Sequence, residues 1–556
     1  MTSVVTAGGI SVTIRGAVVG ESETVLDRLA SDGVPSSLAS RNAKLWGPDA
    51  APLAARRLGW LGLPGTSLSL PARLAGPAEE FRGAGLDRIV VAGAGGPAIA
   101  AEAVHRTAAR TGPDAELVVL DTTDPHEVSG VLSGDLGRTV VVVVGDDVEA
   151  RSLRRVFGRA FSEAGLSRAE LARRFVLVDE PGSEAERAAR DVGHHFVEAE
   201  TDVDGRFGAL GVRALVPAAL AGTDVAALLD EADRLAGALR QPYDNPALAL
   251  GAALASSALG GRDKLVLADH GSGLHGFPAW AEQLVAGALG KDGRGLLPVV
   301  VESVDSPGFD LTGDVRRVIL GRRPDEPGPG REAGVSVAGP LGAQFLLWDY
   351  AVAVAARVIG VDPFAEPDTG ESRDSTAALL RSEEGTAPTV VRRPPALVSD
   401  AVEVHAPEEA LRGAKTLGEA LETFLEDVPD GGYLAVLAYL DRSGEAAAAG
   451  LRPLLAARGA GLRRNPVPVT FGWGPRYLHA TGQYHKGGPR NGMFLQVTGA
   501  VTTDVPVPGR PFTLGELQLA QAFGDQRVLR SLGLPAFRLH LRDRAEGLAQ
   551  LIEALS

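Results

Sequence analysis

Apolar residues fall in short continuous runs through the first half of the chain. Asp87-Arg-Ile-Val-Val-Ala stops at a glycine turn, Gly93-Ala-Gly-Gly. Glu116-Leu-Val-Val-Leu-Asp follows an alanine-rich segment, and Thr139 to Val144 ends at Gly145-Asp-Asp. Runs of this kind, separated by segments of helical period, predict parallel strands covered on both faces. They place a first domain over about residues 46–200. Residues 1–45 form an N-terminal segment in which apolar residues alternate between Met1 and Gly20.

The alternation then repeats. Helices are expected at Arg206 to Leu220, Asp224 to Leu239, Asn245 to Ser257 and Leu341 to Ile359. Strands are expected at Lys264 to Asp269 and Gly295 to Glu302. The repetition predicts a second, similar unit over 201–385, and an α/β fold of parallel sheets flanked by helices. Pro324 to Glu332 reads as a surface loop, and Ser382 to Pro395 as an interdomain linker. A third region, 401–556, is expected to hold a helix at Thr416–Leu425, a strand at Tyr433–Leu440 and a glycine- and proline-punctuated stretch from Asn465 to Gly499.

Length agrees with three domains, since 556 residues exceed what one core organises. A hydrophobic content of 45% is that of a globular chain. The net charge of −15, with no basic block, argues against a nucleic-acid partner. The absence of cysteine excludes disulfides, thiolate chemistry and Cys-ligated zinc. Neither a signal peptide nor a membrane-length apolar stretch is read, so the expected location is the cytoplasm. His270 and His275 lack a third ligand at a diagnostic spacing, so no metal is expected. The turn at Gly93–Gly96 lacks the spacing and downstream acid of a dinucleotide fingerprint, and no cofactor is expected.

Several segments resemble one enzyme family. Asn42-Ala-Lys-Leu-Trp-Gly, Arg57-Leu-Gly-Trp-Leu, Gly205-Arg-Phe and Leu215-Val-Pro-Ala-Ala-Leu-Ala-Gly occur in order. They are followed by Glu282-Gln-Leu, Gly290-Lys-Asp-Gly-Arg-Gly-Leu-Leu-Pro-Val, Leu341-Gly-Ala-Gln-Phe, Asp362-Pro-Phe and His479-Ala-Thr-Gly-Gln-Tyr-His-Lys-Gly-Gly-Pro. Collinear from about residue 40 onward, they resemble the glucose-6-phosphate isomerases, in particular a bacterial branch related to fusions with transaldolase. The resemblance implies two sugar-isomerase domains plus a C-terminal domain. It also implies an aldose–ketose reaction, in which a carboxylate moves a proton between C2 and C1 through an enediol.

The functional positions that the resemblance assigns are altered. The family binds phosphate with a Gly-Gly-Ser turn and a Ser-Lys-Ser-Gly-x-Thr loop. Here the turn reads Gly95-Gly96-Pro97, and the loop reads Gly145-Asp146-Asp147-Val148-Glu149-Ala150. Two like charges about 4 Å apart repel by roughly 1 kcal/mol in water and about 4 kcal/mol at an effective dielectric of 20. Asp146 and Asp147 therefore disfavour a phosphate dianion. They read either as a solvated loop, as a new site for a neutral polyol or a cation, or as a local misalignment. The family's catalytic glutamate lies in Glu-Ser-x-Gly-Lys; with Gly290-Lys291 fixing the register, Gly287 stands at the base position. Glu282 and Asp292 are the candidates to replace it. Glu366 and Arg373 occupy the positions of the ring-opening and lysine groups, and also read as a surface ion pair. Gln344 falls where the family carries a histidine or an acid. Arg206 keeps the motif of the enediolate-stabilising arginine, and reads alternatively as a structural ion pair. His479, His485 and Lys486 are expected to pack against the cleft, with His479 and Lys486 as substrate-binding candidates.

Three functional readings follow. The first is a catalytically impaired homologue that binds a sugar-like ligand or associates with pentose-phosphate or glycolytic enzymes. The second is a working isomerase of glucose 6-phosphate and fructose 6-phosphate with a rearranged site. The third is an isomerase of a non-phosphorylated or unusual sugar. Family members commonly form homodimers, and no interface is legible in the sequence.

Overall fold

The computed structural model describes residues 1–108, 115–309, 313–322, 333–381, 394–463 and 466–556. The loop expected at Pro324–Glu332 and residues 382–393 of the expected linker lie outside the described residues.

Three sheets carry the chain. The first is wholly parallel, in the spatial order Glu116–Leu120, Arg88–Ala92, Thr139–Val144, Phe175–Asp179, His195–Glu198. Numbered along the chain, this is 2-1-3-4-5. Its strands Arg88–Ala92, Thr139–Val144 and Phe175–Asp179 are buried throughout, which explains why the first two read as unbroken apolar runs. The second sheet runs Leu297–Val301, Lys264–His270, Val315–Gly321, Gly334–Ala338, all parallel and again 2-1-3-4. The repetition read from the sequence is thus present in the topology.

Residues 1–45 are not a separate segment. Thr2–Ala7 and Ile10–Arg15 form a hairpin whose second strand pairs antiparallel with Gly334–Ala338. The hairpin covers what would otherwise be an open sheet edge. The alternation noted before Gly20 is that of this ribbon, with Ile10, Val12 and Ile14 facing the core.

The third sheet follows the same plan. Trp473 ends the strand Val469–Trp473, which is followed in space by Tyr433–Tyr439, Gly492–Gly499 and Ala536–Leu541, parallel and once more 2-1-3-4. The hairpin Leu397–Ser399 and Val402–His405, which precedes these strands in the chain, pairs antiparallel with Ala536–Leu541. The second and third units therefore share one topology, hairpin included.

Several helices match their expected ranges. Leu341–Ile359 is a single helix. By length and composition it could cross a membrane, but 89% of its apolar window is buried inside the protein, where it packs on the Pro246–Leu259 helix. Asp224, Asn245 and Thr416 cap the helices that follow them with their side chains. The helix expected at Arg206–Leu220 is broken. A short turn at Gly205–Phe207 precedes a helix that starts only at Val212, because Asp204 ties back the Arg206 N–H and Gly208 and Gly211 interrupt the helical run. That break brings Arg206 to the cleft.

One apolar core joins the first two units through their helices. A second apolar layer fills the space between the second and third sheets, with Val266, Leu297 and Ile319 facing Tyr433, Leu437 and Phe494. The third unit is thereby fixed against the other two, and its His479–Lys486 segment reaches the cleft of the first.

Candidate functional site

A cleft of about 800 Å3 opens beyond the C-terminal ends of strands Arg88–Ala92 and Thr139–Val144. Neighbouring strands that lead off in opposite directions make this the expected ligand position in a doubly wound sheet. Gly95, Gly96, Asp146, Asp147, Arg206, Gly287, Glu366, Arg373, His479 and Lys486 all line it. Residues from all three units thus converge on it.

Gln344 does not line the cleft. It is buried in the Leu341–Ile359 helix, where its Oε1 accepts from Trp348 Nε1 at 3.2 Å. Neither Glu282 nor Asp292, the two candidates to replace the base, lines it. Burial pushes the Glu282 carboxyl up to about 8, with Arg476 opposing, and Asp292 is exposed in the turn after Lys291. His485 is buried behind the cleft, with Nδ1 at 2.9 Å from the Tyr433 hydroxyl. His270 and His275 lie outside it.

Arg206 is held from every side. Its Nε and Nη2 donate to the two carboxylate oxygens of Asp204 at 2.9 and 3.0 Å. Nη1 donates to the Gly287 carbonyl at 2.8 Å, and Nη2 to the Phe364 carbonyl at 2.6 Å. Glu366 approaches Nη2 at 3.6 Å. Burial disfavours the guanidinium charge, and the Asp204 and Glu366 carboxylates outweigh it. Glu366 therefore pairs with Arg206, whereas Arg373 donates to the Thr369 hydroxyl at 3.1 Å. A direct Glu366–Arg373 pair, one sequence reading, is not what the side chains form.

Gly287, which the resemblance assigns to the base position, has no room for a side chain. A Cβ added at Gly287 would lie 2.7 Å from Cδ of Arg206. The arginine stem occupies the space a side chain at 287 would need, and its bonds to Asp204 keep it there. Gly96 is constrained by backbone instead: a Cβ there would lie 2.4 Å from the Gly205 carbonyl oxygen. The glycine turn of the first unit thus packs directly on the Arg206 loop.

The loop that the resemblance assigns to phosphate is filled by the protein's own groups. Asp147 caps the Val148–Glu163 helix, accepting from the Ala150 N–H at 2.6 Å, and the Ala94 N–H also faces its carboxylate. A helix N-terminus that would suit a phosphate therefore already holds a carboxylate. Behind it, Glu149 is 2% exposed. Its Oε1 lies 3.1 Å from His479 Nε2 and accepts from Gln521 Nε2 at 2.6 Å. Asp146 pairs with Arg151 at 3.1 Å, and both line the cleft. Burial, and then the charge of Glu149, push Asp147 up to about 7. Glu149 stays low despite burial because His479 faces it. Burial would lower His479, but Glu149, Asp147 and Glu366 raise it to about 9.

Both raised groups make stability fall as pH rises. Unfolded, His479 titrates near 6.5, so the stability it supplies is complete below that pH and is lost as pH passes through 9. Asp147 favours its protonated form in the fold, so its ionisation between about 4 and 7 also costs stability. The melting temperature is expected to decline from pH 6.5 to 9, and His479→Gln to flatten that decline. A variant whose melting curve keeps the full slope would show that His479 carries no such proton.

Lys486 lines the cleft but is committed to Asp525, with Nζ to Oδ1 at 2.7 Å and both side chains 1% exposed. Asp525 also accepts from Ser372 at 2.9 Å and from the Tyr477 hydroxyl at 2.7 Å. Among the described residues no group of His, Cys, Asp or Glu is arranged to hold a metal ion.

Asp204, Glu149 and Gln521 are not singled out by the sequence. Asp204 lies two positions before Arg206, and Glu149 lies within the loop already read, so proximity to motif residues could have marked both. Gln521 arrives from 372 residues away and carries no local signal.

No family model matches the chain. Curated relatives do. The glucose-6-phosphate isomerase of Rubrobacter xylanophilus is 33% identical over 256 residues, covering 43% of this chain and 58% of its own. That of Synechococcus sp. strain JA-3-3Ab is 34% identical over 209 residues, 36% of this chain and 39% of its own. Over the matched stretch the chain is similar to glucose-6-phosphate isomerases. It spans about half the length of the curated relatives it matches. Among solved structures, a glucose-6-phosphate isomerase from Chlamydia trachomatis superposes with a TM-score of 0.53 at 16% identity, over 70% of this chain and 92% of that one. A hypothetical protein from Thermus thermophilus does so with 0.56 at 19%, over 69% and 100%. These two show a shared fold.

Proposed function

We propose that this chain is a member of the isomerase family that has lost isomerase catalysis and keeps its cleft as a binding site for a sugar-like molecule without a phosphate. The observation that carries this reading is the pairing of Gly287 with the fixed stem of Arg206, which leaves neither a carboxylate nor room for one at the base position. Losing a positioned base lowers rates by about 10²–10⁴-fold. The carboxylate of Asp147 at the helix N-terminus supports the second half of the reading, because a phosphate would have to displace it. Carboxylates accept hydrogen bonds from hydroxyls, so a neutral polyol suits the same wall.

The retained arginine does not argue for catalysis. Its donors are spent on Asp204 and on carbonyls of Gly287 and Phe364, the pattern of a structural ion pair. Such a group holds together the three segments that meet at the cleft floor.

A coupled assay for fructose 6-phosphate formation from glucose 6-phosphate tests the reading. No turnover above background is expected from the purified chain. Thermal shift against matched sugars and sugar phosphates gives the second arm, since a ligand that binds the folded state raises its melting temperature. Neutral sugars are expected to stabilise the protein more than their phosphates. Rapid turnover, or stabilisation by the phosphates alone, would reverse the reading.

A further inference from the structure

The third unit has a pocket of its own at the position that corresponds to the cleft. In the first unit the cleft opens where strands 1 and 3 of the 2-1-3-4-5 order end side by side. The counterparts in the third unit are Tyr433–Tyr439 and Gly492–Gly499. A separate cavity of about 290 Å3 opens at their C-terminal ends, between Tyr439, Thr498, Gly499 and the start of the Leu514–Ser531 helix. We propose that this cavity is a second ligand site, for a small uncharged molecule with an apolar body and one hydroxyl-type group.

Three observations fix that chemistry. Anions are disfavoured because the helix N-terminus already holds a carboxylate. Asp504 Oδ1 accepts from the Gly515 N–H at 2.9 Å, and the Thr513 hydroxyl donates to Oδ2 at 2.6 Å. This is the device seen with Asp147 in the first unit, and it leaves the helix end with nothing to offer a phosphate. The body of the ligand would meet Val501, Leu519 and Ala522, which line the cavity with apolar groups. At its inner end stands His540. Its Nδ1 lies 3.0 Å from the Thr498 hydroxyl, and Nε2 has no hydrogen-bond partner among the described residues. Burial, and then Arg538, push the imidazole down to about 4, so it is neutral at ordinary pH. A neutral ring presents Nε2 either as donor or as acceptor, and a hydroxyl satisfies both.

The wall is preformed. Tyr439 is 1% exposed, with its hydroxyl 2.9 Å from that of Tyr477, which donates to Asp525 at 2.7 Å. Asp525 in turn holds Lys486, so one buried relay braces the back of this cavity and a wall of the cleft.

Phenol is the probe, because its ring matches Leu519 and Ala522 and its hydroxyl matches His540. Ligand-observed NMR titration of the full chain is expected to show one saturable phenol site. Toluene should bind several-fold more weakly, and benzoate should not saturate. Leu519→Trp, which fills the cavity, should abolish phenol binding. His540→Phe should bring phenol down to the level of toluene, and it decides the question if the tryptophan variant does not fold. The proposal is overturned if the wild-type chain binds no phenol, if benzoate matches phenol, or if both variants bind phenol as the parent does.

Discussion

Arg206→Ala is expected to cost about 3–5 kcal/mol of folding stability, the range for breaking a buried ion pair by removing one partner. The carboxylate of Asp204 would be left buried with its main cation gone, and the carbonyls of Gly287 and Phe364 would lose their donor. Those carbonyls belong to segments 81 and 158 residues away in the chain, so the damage would not stay local. Urea unfolding of the variant measures it directly. Pairing the change with Asp204→Asn should recover part of the loss, because the stranded charge disappears. A midpoint that does not move in Arg206→Ala would show that the guanidinium is a spectator of the fold, and would return it to the list of groups free to meet a ligand.

Gly287→Glu is the second expected large effect, and it bears on activity and stability together. Restoring the family's glutamate by itself should give no fructose 6-phosphate. The new Cβ would press on Cδ of Arg206 at 2.7 Å, and the Asp204 pair prevents the stem from swinging aside. Overpacking of this kind costs about 1–3 kcal/mol. The anion cradle would also remain occupied by Asp147. The coupled assay and a melting curve on the same preparation check both halves. Strong isomerase activity from this one change would mean that the arginine yields, and that the acidic loop tolerates a phosphate after all.

Much of the fold is legible because it is written locally. Thr139–Val144 is apolar at every interior position since both faces are covered, and Leu341–Ile359 is bounded by Pro340 and Gly360, which stop it cleanly. The strands at Phe175–Asp179, Val315–Gly321 and Gly334–Ala338 are not among those expected. Val315–Gly321 begins with two arginines after its first valine, one of which is buried against Glu21 by a contact no local pattern announces. The Arg206–Leu220 break is hidden because Gly208 and Gly211 are single residues in an otherwise helical run. At the site, most residues named by motif comparison line one cleft, whereas Gln344, His485, Glu282 and Asp292 do not. What it cannot supply is the filling of space. That Arg206 lies over Gly287, and that the Asp147 side chain fills the N-terminus of its own helix, are facts of three-dimensional contact between side chains far apart in sequence or pointing in directions the sequence does not encode.

The hairpin at Thr2–Arg15 has a consequence for how the protein comes into being. Its partner in the sheet, Gly334–Ala338, is made roughly three hundred residues later. At about 5–20 residues per second the ribosome needs on the order of 15–60 s to deliver it. During that interval the ribbon carries an apolar face and a row of amides that lack their partner strand, so the second unit closes only after Ala338 has been made.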